Sequence, residues 1–211
     1  MSGGSAAPSA RRKRAVESFK SAAETIGPIH AGMALFAVTR GQFSMIDAIL
    51  HVLDAVGSGA VLSIWTWTIA SYEIDVFRQL ADDGRIAAGT LIIDEGARAK
   101  NSELIAAWKA RFGARSVRYV LNHSKIATVE ANGLRVLLRG SMNLNHNPRF
   151  EQLDVTEGGP DFDLIREIEA DLEELPDTAS AADAYRASKV SAAFDAKTLD
   201  MFAGLRRWAP K

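Results

Sequence analysis

His123, Lys125, Ser141 and Asn143 are the side chains here whose types and spacing could do chemistry together. In an extended segment, residues two apart point to the same face, so His123 and Lys125 would project side by side. Ser141 and Asn143 share that spacing, and Gly140 before them would let the backbone approach a ligand closely. A neutral imidazole can attack phosphorus. A fixed cation and small donors can stabilise the non-bridging oxygens as charge redistributes, so the set suits attack on a phosphodiester.

Elements must bring these residues together, and the order of strands and helices can be read along the chain. Ala34 to Val38 has the short apolar character of a buried strand, and Phe43 to Val56 repeats apolar residues at helical spacing. Ala60 to Trp67 reads as a second strand, Ile74 to Leu80 as a helix core, and Gly89 to Ile93 as a third strand. Ser102 to Phe112 gives another helix, and Ser116 to Leu121 a strand leading directly into His123. Beyond it, runs at 126–130 and 134–138 flank Ala131-Asn132-Gly133, and Asn-Gly is a strong hairpin signal. Leu153 to Val155 predicts a further strand and Asp161 to Leu175 a helix, acidic near its start. The expectation is an α/β fold with a mixed, largely parallel sheet and helices on both faces.

At 211 residues and 47% hydrophobic composition, the chain can fill one substantial core, whereas two domains would each be small. Residues 1–25 read as a flexible basic segment, 26–177 as the catalytic domain and 178–211 as peripheral helices. Arg11 to Arg14 could touch phosphates or form a solvated tail, and Phe194, Leu199, Phe202 and Leu205 could pack on the core or on a partner. With 25 Lys and Arg against 26 Asp and Glu there is no global field to draw in a polyanion, so any such contact must be local. The absence of cysteine excludes disulfides and thiolate nucleophiles. No secretory signal follows the basic run and no apolar stretch reaches spanning length, which predicts a cytoplasmic protein without stable membrane association.

The constellation His123, Lys125, Glu130, Gly140, Ser141 and Asn143 resembles the phospholipase D-like phosphodiesterase superfamily and its His-x-Lys signature, in particular its single-motif bacterial nuclease-like group. Two departures stand out: Glu130 replaces the usual Asp, and nine residues rather than about six separate it from Gly140. The resemblance runs over roughly residues 33 to 175 and implies a metal-independent phosphodiesterase without cofactor. Members pair two His-x-Lys motifs, and this chain carries one. A homodimer sharing one site is therefore implied, with one His123 as nucleophile and the other as general acid and base.

The resemblance further implies that Lys125 and Asn143 bind phosphate oxygens, that Ser141 adds a donor or holds the loop, and that Glu151 orients the imidazole. Trp65 and Trp67 alternate at a strand end, where aromatic rings could stack on bases or join the core. Gly140 and Arg149 complete the expected substrate contacts, with Arg149 reaching a phosphate. His146 is a candidate second histidine within one chain, while His30 and His51 read as structural. A nuclease, with DNA ahead of RNA, leads the functional readings. Phospholipid hydrolysis or transphosphatidylation and a nucleic-acid-binding protein with little activity are the alternatives.

Overall fold

The computed structural model describes residues 13–188, and its elements change where side-chain periodicity changes. Ala34–Thr39 (β2) and Ala60–Thr66 (β3) are apolar strands joined through Met45–Val56 (α2), which buries Met45, Ile49, Val52 and Val56 along one stripe. The Asp47 carboxylate accepts the Ser44 N–H at 2.8 Å and so fixes where α2 begins. Ser71–Asp82 (α3), Ile86–Asp94 (β4), Ser102–Phe112 (α4) and Val117–Val120 (β5) continue the alternation, with a short 3-10 turn at Glu95–Ala97. Lys125–Ala131 (β6), Leu134–Gly140 (β7) and Glu151–Glu157 (β8) follow, then Pro160–Asp171 (α5) and Ala181–Ala187 (α6).

Arg14–Ser18 (β1) and all but the last residue of Ala22–Ile26 (α1) fall in the stretch read as flexible, and for its described residues that expectation is corrected. β1 pairs in parallel with β2, and Arg14 donates to the carbonyls of Thr25 and Ile26, where a cation suits a helix C-terminus. Lys13 pairs with Asp154. Two of the four basic residues thus serve the fold, while Arg11 and Arg12 lie outside the described residues. So do Phe194, Leu199, Phe202 and Leu205.

The eight strands among the described residues form one sheet in the order β1-β2-β8-β7-β6-β3-β4-β5. The fold is mixed α/β as expected, but the sheet is not largely parallel. β1/β2, β3/β4 and β4/β5 are parallel pairs, whereas β2/β8, β8/β7, β7/β6 and β6/β3 are antiparallel. The physical reason is the Asn132-Gly133 turn: a two-residue loop can join only antiparallel strands, and it places a hairpin at the sheet's centre. Asn132 and Gly133 have φ of 49° and 81°, the left-handed pair that such a turn requires.

Helices cover both faces. Leu62, Ile64, Ala127, Val129, Leu138 and Val155 join the α2 and α3 side chains in the main core. On the opposite face, Ser63 and Trp65 of β3 both donate to Glu169 of α5. Among the described residues no helix is long and apolar enough to cross a membrane.

Candidate active site

The carboxyl ends of β3, β4, β5 and β7 meet the starts of β6 and β8 at one edge of the sheet, where open α/β sheets leave room for ligands. The turn from β5 to β6 is built on one buried amide. Asn122 donates its backbone N–H to Asp94 Oδ2 at 2.9 Å and its Nδ2 to the Thr66 carbonyl at 3.0 Å. Its Oδ1 accepts the Ser124 N–H at 2.8 Å. With the ends of β3, β4 and β6 tied together, the next residue, His123, is pushed out into solvent at the apex. Trp67 flanks it, ring centroids 5.8 Å apart and planes inclined by 54°.

His123 precedes β6 rather than belonging to it, yet the two expected partners still meet. Lys125 Nζ donates to the His123 carbonyl at 2.8 Å and lies 3.4 Å from each imidazole nitrogen. Burial lowers the Lys125 pKa below its ordinary value of 10.5, and the Glu151 charge opposes that shift. Lys125 stands opposite Gly140 across the hairpin, and Gly140 stands opposite Leu153 on β8. Glu151, two residues before Leu153, therefore shares their face of the sheet.

Glu151 is buried and accepts the Ser141 hydroxyl. Ser141 Oγ in turn accepts the Gln152 N–H at 3.0 Å, and the Ser141 N–H reaches the Gln152 carbonyl at 3.1 Å. In this arrangement the carboxylate holds Ser141 rather than the His123 ring. Gly140 also serves a different end from the one its sequence context suggested. A Cβ there would lie 2.1 Å from the Gln152 carbonyl oxygen, so the missing side chain lets β7 and β8 close on each other rather than on a ligand.

Ser141 and Asn143 do not share a strand face as their spacing suggested, because β7 ends at Gly140. Met142 and Leu144 bury instead and draw the loop onto the start of α2, whose Met45 N–H donates to the Asn143 carbonyl at 3.0 Å. The Asn143 side chain is left half-buried. His146 binds the Gly41 carbonyl through Nε2, in a place where the left-handed Gly41 packs against Asn147 and Pro148. That contact gives it a role in the loop. Arg149 is exposed and joins no ion pair among the described residues.

Trp65 is corrected as a substrate contact. Its indole N–H donates to Glu169 at 2.7 Å beneath α5, because the strand face it occupies is roofed there, whereas Trp67 lies beyond the strand end and is 51% exposed. Glu130 is exposed toward the other end of β6, about 17 Å from Lys125 at the rise of a strand. His30 and His51 bind the carbonyls of Ala31 and Gly27. Asn122 and Asp94, which present His123, were missed in the sequence; their only signal there was position at strand ends. Among the described residues no set of three or more His, Asp or Glu side chains is arranged to hold a metal ion.

No family model matches the chain, and no curated protein matches it. Among solved structures, the crystal structure of polyphosphate kinase from Porphyromonas gingivalis is similar over 65% of this chain, with a TM-score of 0.41 and 13% identity. The chain spans 22% of that protein's length.

Proposed function

We propose that this chain is a phospholipase D-like phosphodiesterase, a nuclease that cleaves nucleic-acid phosphodiesters through a phosphohistidine at a site shared by two copies. One observation carries the reading: an exposed imidazole held at the apex of a buried-amide turn, with a lysine amine 3.4 Å from both its nitrogens. A histidine kept only for packing would not need that presentation.

A nitrogen lone pair of His123 attacks phosphorus. The P–N bond forms as the bond to the leaving oxygen breaks, and that oxygen takes the proton carried by His123 of the partner subunit. Water then attacks phosphorus and gives its proton to the partner's His123, while the P–N bond breaks and the phosphomonoester departs. Lys125 neutralises charge on the non-bridging oxygens throughout. Asn143 lines the same edge and adds a donor, while Ser141, whose hydroxyl proton goes to Glu151, holds the loop. The exposure of His123 supports a second copy completing the site, since a lone chain offers one imidazole where the chemistry uses two.

The test is a panel of DNA, RNA and phosphatidylcholine with chelator present, run beside His123→Ala. Chelator-resistant cleavage of DNA or RNA that disappears in the variant is the expected result. Hydrolysis of phosphatidylcholine alone would replace the nuclease reading, and salt-sensitive DNA binding without turnover, unchanged in the variant, would replace the enzymatic one.

A further inference from the structure

Beside Trp67, on the side of the 3-10 turn, lies a cavity of about 430 Å³ lined by Trp67, Thr68, Asp94, Ala97, Lys100 and Asn101. Its volume lies within the range of small-molecule sites. Two features join it to the candidate active site. Trp67 forms its wall and touches the His123 ring, and Asp94, on its rim, holds the turn that presents His123. The polar groups around it are not all spent. Asn101 Nδ2 donates to the Ala97 carbonyl at 3.1 Å and to Thr68 Oγ1 at 3.4 Å, which leaves Asn101 Oδ1 as an acceptor and the Thr68 hydroxyl as a donor. Asp94, by contrast, is committed, with Oδ1 on the Gly96 N–H and Oδ2 on the Asn122 N–H. Lys100 is exposed and takes part in no ion pair among the described residues.

We infer that this cavity is the subsite for the nucleobase next to the scissile phosphate, stacked on Trp67, with Lys100 on the phosphate beyond it. The inference rests on the nuclease reading and adds a position to it. An exposed indole offers a planar apolar face on which any base can stack. A free acceptor and a free donor at the rim suit a base edge, and one unpaired cation suits one further phosphate.

Single-stranded oligonucleotides carrying one abasic tetrahydrofuran residue, walked position by position, test this with the full-length protein in chelator. Loss of the base on one side of a given bond is expected to slow cleavage of that bond at least about fivefold, the lower end of base-stacking effects. Trp67→Ala should cut the abasic and intact substrates alike, and Trp67→Phe, which keeps an aromatic face, should restore the discrimination. Lys100→Ala should flatten the salt dependence of oligonucleotide binding by about one phosphate contact. Cleavage that depends on His123 but ignores every abasic position would overturn the subsite and leave the nuclease reading standing. Intact oligonucleotides that are not cut at all would overturn both.

Discussion

The two ends of the β6–β7 hairpin are built on opposite terms. At the closed end, Asn132 and Gly133 supply left-handed backbone, Asn132 Nδ2 donates to the Val56 carbonyl at 2.7 Å, and Glu130 stands across from Arg135. Every feature there serves the chain's path. At the open end, a lysine loses solvation, a carboxylate is buried on a serine, and an imidazole is pushed into water. Burying charged groups costs stability; Glu157, buried nearer the closed end, is satisfied by the Gly32 and Arg135 N–H groups and serves the fold, whereas the open end gathers a desolvated amine and a buried carboxylate beside an exposed imidazole. One pair of strands thus separates stability and chemistry by its own length.

Substitutions at the two ends should therefore fail in different assays. Removing the nucleophile has the largest effect: His123→Ala should lower cleavage by about 10⁴-fold or more while the melting temperature holds, since the side chain is exposed. Lys125→Ala comes next, with a loss of roughly 10²–10³-fold in kcat, the range for one group that stabilises transition-state charge. Its titration gives a second signature. The amine is cationic below its pKa and burial lowers that pKa, so activity should fall as pH rises through a value below 10.5. Lys125→Arg, whose guanidinium does not titrate there, should move the alkaline limb of a kcat–pH profile upward even if the rate is lower.

The closed end should answer in stability. Gly133→Ala forces a side chain onto a φ of 81°, and urea denaturation should show a loss of about 1–2 kcal/mol with kcat unchanged. Glu130→Ala should be the mildest, within about 0.5 kcal/mol and without effect on turnover. A loss of activity in Glu130→Ala comparable to that in Lys125→Ala would erase the contrast between the ends.

Much of this layout was legible in the residues, and the gaps have physical causes. Strands and helices from Ala34 to Asp171 announce themselves through apolar period, and Asn132-Gly133 fixes the hairpin by backbone conformation alone. β1 escaped because an edge strand needs little apolar character: Arg14, Ala15 and Glu17 are exposed. The sheet's strand order escaped too, since β8 inserts between β7 and β2 through pairings distant in sequence. At the site, His123 and Lys125 were readable as types at a spacing. Asn122 was not, because a buried amide joining three strands is a property of the assembled sheet. Trp65 and Trp67 looked alike for the same reason, as only the fold decides which one α5 covers.

The covalent intermediate tests the central claim most directly. The protein is mixed with DNA in chelator, quenched in base, where a phosphoramidate survives, and digested for peptide mass spectrometry. A nucleotide or phosphoryl adduct on His123, absent in His123→Ala, is the predicted result. Chelator-resistant cleavage at an unchanged rate in His123→Ala, with no adduct on His123 in the wild type, would contradict it.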